Sequence, residues 1–412
     1  MRSVFLDHLL SHIVQVGTLR VTFADGRTKR YGQGEPELGV TVKDPRLPGR
    51  ILRSPNLAVG EAYMDGTFEV ENDDLRAFFD FMIPNINRAG APWFQRPLDL
   101  GRMMARRFRQ FAPVGKAQAN VAHHYDLSGE LYDLFLDADR QYSCAYFARE
   151  DMTLDEAQEA KKQHIAKKLL IEPGMRVLDI GCGWGGMALT LARDYGAKVV
   201  GVTLSREQHA VAVRRAEEAG LSDRVEFRLT DYRQVPESFD RIVSVGMFEH
   251  VGVPHYDEYF RFVRDHLSDD GLALIHSIGH VGPPNESDPW IVKYIFPGGY
   301  TPALSEMQRA VDRAELVSTD IEVLRLHYAK TLGHWYERFM ANEDKARALY
   351  DERFVRMWRY YLLSMEASFR VGTLLVYQVQ IGKHMTAAPI TRDYLYRDAA
   401  HDRAHTHAKA AE

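Results

Sequence analysis

The sequence predicts an α/β protein: a doubly wound parallel sheet with helices on both faces, preceded by a smaller N-terminal α+β domain. Three observations carry that prediction. From Met175 onward, β-branched apolar runs (MRVLDIG, AKVVGVTLS, RVEFRLTD, FDRIVSVGM, GLALIHSIG) are separated, among the earlier ones, by helical stretches such as MALTLARDYG and REQHAVAVRRAEEAG. That spacing builds parallel strands with helical crossovers. The first of these strands ends in a glycine-rich loop, VLDIGCGWGG, which opens a helix. The region before residue 90 shows neither feature and instead mixes short alternating strands with turns.

In chain order, LRVTF, ADGR and LGVTV read as strand, turn and strand, with Leu19, Val21 and Phe23 on one face. DDLRAFFDFMI reads as an amphipathic helix whose N-terminus suits Asp73 and Asp74. Residues 1–90 are therefore assigned to one small domain and 91–120 to a linker. The linker encloses a helix that presents Leu100, Met104, Phe108 and Phe111 on one face and Arg102, Arg106 and Arg109 on another, with Lys116 just beyond. Such a basic helix suits either contact with anionic headgroups or a plain connection with its arginines in water. The α/β domain is assigned to 121–400; it becomes rich in aromatics after His280 and closes on two strand-like runs, IEVLRLHY and TLLVYQVQI. The tail 401–412 is polar and expected to be disordered.

A chain of 412 residues that is 45% hydrophobic and 26% charged can bury a sizeable core. No stretch approaches the roughly 18 apolar residues of a membrane-spanning helix, so a soluble cytoplasmic protein is expected. Two cysteines, Cys144 and Cys182, give neither a disulfide framework nor a zinc-binding spacing, and no metal is expected. The formal net charge of −5 argues against a nucleic-acid partner.

The glycine loop places Gly181, Gly183 and Gly186 where a strand gives way to a helix, so backbone N–H groups can approach a ligand. The GxGxxG pattern alone also fits a nicotinamide or flavin dinucleotide. Two residues argue otherwise. Asp179, just before the loop, would repel a pyrophosphate but can support the ammonium of S-adenosylmethionine, and Thr203 stands where a dinucleotide site normally has an acid for the ribose. S-adenosylmethionine is the preferred cofactor, which makes the α/β region a Rossmann-like class I methyltransferase domain. Thr203 also departs from the usual methyltransferase acid, leaving the ribose to other groups such as Gln208.

Assembled, the phrases HYDLS (124–128), QYSCAYF (141–147), DIGCGWGG (179–186), GVTLSREQ (201–208), DRIVSVGMFEHVG (240–252), HSIG (276–279), DPWIVKYIFPGG (288–299) and HWYERF (334–339) resemble the cyclopropane fatty acid synthases. The mycolic acid cyclopropane synthases share several of them. The resemblance spans residues 121–383, with a looser likeness of the N-terminal region to the extra domain of the phospholipid-modifying members. It implies methylene transfer from S-adenosylmethionine to a cis double bond in the acyl chain of a membrane phospholipid, with a bound bicarbonate as the base that closes the ring. It also implies an enzyme peripheral at the inner face of the membrane. A homodimer is left open.

By motif match, the resemblance assigns the bicarbonate site to Cys144, Glu249, His276, Ile278 and Tyr336, with Ile278 contributing backbone groups only. The cofactor site comprises Tyr142, Ser143, Asp179, Gly181, Gly183, Thr203, Leu204, Gln208, Asp231 and Tyr232. On this reading Cys144 is a wall of the site and not a nucleophile, and Glu249 relays a proton. Taken singly, Glu249 also fits a solvated cap, His276 a core histidine and Tyr336 a core residue. Cys182 reads as packing, and Tyr300 stands where some family members carry cysteine. An alkene is a weak nucleophile, so the chemistry needs a dry, aromatic cavity that aligns it and stabilises a cation. The competing readings are methylation without ring closure, a non-catalytic lipid-binding protein, and a nicotinamide oxidoreductase.

Overall fold

The computed structural model describes residues 2–90 and 129–396. The expected linker 91–120 with its basic helix, the HYDLS motif and the tail 401–412 lie outside the described residues. Before the gap the elements are α1 (Arg2–Ile13), β1 (Gly17–Thr22), β2 (Thr28–Gln33), β3 (Glu37–Val42), α2 (Leu47–Ile51), α3 (Pro55–Met64), β4 (Phe68–Val70) and α4 (Leu75–Ala89). After it come α5 (Gly129–Asp133), α6 (Leu154–Lys168), β5 (Arg176–Ile180), α7 (Gly186–Tyr195), β6 (Lys198–Thr203), α8 (Arg206–Glu218), β7 (Val225–Leu229) and β8 (Phe239–Val245). The remainder is α9 (Tyr256–His266), β9 (Leu267–His280), α10 (Pro289–Tyr294), α11 (Leu304–Arg313), β10 (Val317–Val323), α12 (His327–Ala341), α13 (Glu343–Leu349), α14 (Glu352–Arg370) and β11 (Leu374–Gly382).

The larger sheet has the order β10-β11-β9-β8-β5-β6-β7. Strands β5 to β9 run parallel, while β11 is antiparallel to both β9 and β10. Chain order reverses between β5 and β8, and the crevice beyond the carboxyl ends of those two strands is where open α/β sheets take ligands. The last strand pair differs from expectation: β10 is Val317–Val323, and the LRLHY that follows turns into α12 at His327. Apolar β-branched composition had favoured a strand there, but buried Tyr328, Leu332, Trp335 and Phe339 repeat with helical spacing.

Short-range chemistry sets several helix starts. Thr153 and Glu156 form a reciprocal capping box at α6, and Ser205 accepts from the Gln208 N–H at α8. Asp74 caps α4 by accepting from the Ala77 N–H. Asp73, also expected there, instead pairs with Arg359 at 2.7 Å and accepts from the Tyr63 hydroxyl.

The N-terminal unit is a four-stranded sheet, β2-β1-β3-β4, whose inner face (Leu19, Val21, Val40, Val42) packs towards α1 and α4. It is fastened to the larger unit chiefly through α14. Arg76 pairs with Glu366, Arg370 with Asp80 at 2.5 Å and Arg353 with Asp65 at 2.8 Å, while Arg356 donates to the Tyr63 carbonyl at 2.6 Å. A second seam joins Lys293 to Glu61 at 2.6 Å and Asn56 to Asp288 at 2.6 Å. Among the described residues no helix is long and apolar enough to cross a membrane.

Candidate active site

Strand β5 ends at Ile180, and the loop beyond it turns sharply: Gly181 has φ +81°, and a Cβ there would lie 2.9 Å from the Met247 side chain. Gly183 (φ +55°) faces open space. Together with Thr203, Leu204, Gln208, Asp231 and Tyr232, these glycines line one pocket of about 110 Å3. Thr203 donates to the Gln208 side-chain oxygen at 3.1 Å, so the pair expected to share the ribose is already bonded to itself. Asp231 is held by Arg233, which donates to both carboxylate oxygens at 2.8 Å.

Asp179 lies beneath the loop, 2% exposed, and its Oδ2 has no hydrogen-bond partner among the described residues. Burial pushes its carboxyl up to about 7, against the pull of the Lys161 ammonium. A buried carboxylate oxygen lacking a donor is costly; Asp179 supports the loop from behind and is not itself among the residues that line the pocket.

Tyr142, Ser143 and Cys144 line a second, larger cavity of about 820 Å3 instead of the smaller pocket. Lys161, fully buried on α6, holds this segment from below by donating to Gln141 Oε1 at 2.6 Å and Ser143 Oγ at 2.8 Å. Burial brings that ammonium down to about 8. Sequence reasoning missed Lys161 because LDEAQEAKKQHIAKK reads as a charged surface helix. Cys144 is fully buried, its Sγ lies 3.4 Å from the Ala145 carbonyl, and burial pushes its thiol well above the usual range. A thiol kept protonated is a poor nucleophile.

Glu249 sits in the turn after β8. Its Oε1 accepts the Ile278 N–H at 2.7 Å, while its Oε2 is buried without a hydrogen-bond partner among the described residues. Burial raises this carboxyl to about 7, opposed by the Ile278 hydrogen bond. His276, on β9, is paired in register with Gln378 of β11, whose amide nitrogen lies 3.1 Å from Nδ1. With that amide donating, Nδ1 is the acceptor and Nε2 carries the proton. Burial holds His276 well below its ordinary value, so the ring is neutral.

Cys144, Glu249, His276 and Ile278 all line the larger cavity. One expectation is narrowed and another needs correction. Ile278 commits its N–H to Glu249, so that group orients the carboxylate. Tyr336 is not among the lining residues; its ring lies beneath the Arg76 guanidinium, 5.7 Å away. Tyr328, on the same helix, does line the cavity. Positions 328 and 335 are two turns apart on one buried face, and residue 336 is rotated about 100° from it. The signal was present in HYAKTLGHWYERF but was obscured by reading its start as a strand. Gly246 and His250 line both pocket and cavity, so the two spaces meet at the carboxyl end of β8.

The glycine loop at the switch point, the buried Asp179 just before it and Thr203 in place of a dinucleotide site's ribose acid agree with the fold: this chain is an S-adenosylmethionine-dependent methyltransferase. Residues 114–379 match the family described as mycolic acid cyclopropane synthetase, and the chain belongs to that family. Residues 5–84 match a separate domain family of unknown function. The chain is 41% identical over 349 residues to the cyclopropane-fatty-acyl-phospholipid synthase of Escherichia coli K12, covering 84% of this chain and 88% of that protein. It is 37% identical over 390 residues to a probable fatty acid methyltransferase of Pseudomonas putida, covering 92% and 96%. Among solved structures, the cyclopropane synthase MmaA2 of Mycobacterium tuberculosis superposes with a TM-score of 0.62 at 35% identity, covering 66% of this chain and 99% of that one. The mycolic acid cyclopropane synthase CmaA1, complexed with SAH and CTAB, superposes equally well (TM-score 0.62, 36% identity, 66% and 99% coverage).

Proposed function

We propose that the protein transfers a methylene group from S-adenosylmethionine to the cis double bond of an unsaturated phospholipid acyl chain, with a bicarbonate as base. One observation carries the reading: Glu249, whose buried Oε2 has no hydrogen-bond partner among the described residues, lines a large, mostly apolar cavity that shares Gly246 and His250 with the cofactor pocket. S-adenosylmethionine supplies an electrophilic methyl group. The protein's part is to hold the alkene against that methyl in a dry site, where alignment replaces the nucleophilicity the alkene lacks. Tyr142, Tyr300 and Tyr328 line the cavity, and aromatic rings of this kind stabilise a positive charge on an acyl chain.

Glu249, His276 and the wall at Cys144 would hold the bicarbonate, which would supply the base for the transferred methyl, with Glu249 placed to accept the bicarbonate's own proton. Neutral His276 donates from Nε2, and Cys144 closes the wall. Tyr328 takes the donor's place assigned by motif to Tyr336. Accordingly, Tyr328→Phe is expected to lower kcat by about 10- to 100-fold, the worth of one hydrogen bond to a charged group. Tyr336→Phe should leave kcat within about twofold. The reverse ranking in steady-state assays would restore the original assignment.

The smaller unit at residues 1–90 orients the enzyme at the lipid, and the protein works peripherally at the membrane's inner face. The test is incubation with S-adenosylmethionine and vesicles of a cis-monounsaturated phospholipid, followed by mass spectrometry and proton NMR of the acyl chains. One added methylene with upfield ring protons is the expected product. A methyl or exocyclic methylene branch would refute ring closure, and unmodified lipid would refute the reading.

A further inference from the structure

The larger cavity does not stop at the catalytic unit. From Glu249 and His276 it continues past Trp290 and Tyr360 into the interior of the N-terminal unit, where Leu9, Leu19, Val21, Val40 and Met82 line it. Protein interiors are close-packed, and a void walled by aliphatic side chains loses dispersion contacts without gaining hydrated water. Its extent of about 820 Å3 lies in the upper part of the range of ligand sites.

Three polar side chains along the passage are turned back on the protein. Asp288 accepts from the Trp290 and Ile291 N–H groups at 2.8 and 3.2 Å and from Asn56 at 2.6 Å. Ser364 and Ser368 donate to the carbonyls of Tyr361 and Ser364 at 3.0 and 2.7 Å. With these groups satisfied, the passage accepts hydrocarbon and offers little to a headgroup.

We infer that the N-terminal unit is an acyl sleeve: the hydrocarbon arm on one side of the reacting double bond runs between its sheet and helices α1 and α4. The inference rests on the acyl-chain reading above and adds a binding site in a region whose matching family model is a domain of unknown function. The sleeve's continuity with the Glu249 end identifies its occupant, since any chain threaded through it arrives at the reacting carbon. It also makes the seam between α14 and the N-terminal unit part of the substrate path.

The test uses the full chain with vesicles of a cis-monounsaturated phosphatidylethanolamine carrying a diazirine, in separate preparations, on the methyl or the carboxyl side of the double bond. After photolysis, labelled peptides and acyl products are read by mass spectrometry. Label within residues 6–87 from one of the two probes is expected; label confined to 129–396 from both, or none, overturns the sleeve. Ring product without N-terminal label sinks the sleeve and leaves the catalytic reading standing, whereas N-terminal label without any product does the opposite. As a second measurement, Met82→Trp should lower turnover at least tenfold for the full-length chain relative to one shortened on the labelling arm. An equal effect on both overturns the sleeve.

Discussion

Glu249→Gln is expected to reduce kcat by about 10²- to 10⁴-fold, the range for losing a positioned proton acceptor, while S-adenosylhomocysteine binds with unchanged affinity. The substitution is nearly isosteric, and the new amide oxygen still accepts the Ile278 N–H that Oε1 accepts now at 2.7 Å. What it removes is the capacity of Oε2 to receive a proton. Glu249 does not line the cofactor pocket, so cofactor affinity is the control. Because burial places this carboxyl at about 7, the wild-type enzyme saturated with S-adenosylmethionine should show kcat/KM rising with pH through about that value and levelling above it, once the acceptor is ionised. Full activity in the variant, or weakened S-adenosylhomocysteine binding in isothermal titration, would remove Glu249 from the proton path.

The second large effect is on stability. Glu322 on β10 lies 2.5 Å from the fully buried Lys168 ammonium and 2.6 Å from His164 Nε2, tying α6 to the antiparallel edge of the sheet. Burial alone would raise its carboxyl; the His164 hydrogen bond and the Lys168 charge outweigh that and bring it from 4.5 down to about 2. Glu322→Gln leaves Lys168 buried with Asp320 at 3.8 Å as its remaining acid. The expected cost is about 3–5 kcal/mol, read as a denaturant midpoint shift or a fall in Tm of roughly 4–6 °C. A lowered folded-state value means that the stabilisation is present above the unfolded value of 4.5 and lost as pH falls from there towards about 2. The gap between wild type and variant should therefore be full at neutral pH and narrow below pH 4.5. A constant gap down to acid pH would show that the ion pair is not its origin.

Much of the catalytic unit was legible because its signals are local. Strand periodicity, glycines at a strand end and Asp179 before them are short-range patterns, and each lies where the alternation of elements put it. The glycine loop, Thr203, Leu204, Gln208, Asp231 and Tyr232 accordingly meet in one pocket although the chain separates them by up to about fifty residues. Motif likeness carried Cys144, Glu249 and His276 to a common cavity for the same reason.

Tyr336 shows where such reading stops. Which tyrosine of HYAKTLGHWY faces a cavity depends on the rotation of one helix, and a shift of one residue turns a side chain by about 100°. That rotation is fixed by what α12 packs against, including Trp335 on Tyr142 with ring centroids 5.1 Å apart, a contact between segments nearly two hundred residues apart. Lys161 is a similar case: nothing in KKQH shows that its lysines are buried, or that the first of them meets Gln141 and Ser143, until the QYSC segment lies over it.

The sequence by itself determined the fold class through its hydrophobic period, the family through its motif phrases and the cofactor through the residues around the glycine loop, all of them patterns that residues share with near neighbours in the chain. Only the tertiary structure decided which tyrosine of α12 lines the larger cavity, which lysine holds the segment from Gln141 to Ser143, and that this cavity continues into the N-terminal unit. Burial and void shape are set by chain segments far apart in sequence, and no local pattern encodes them.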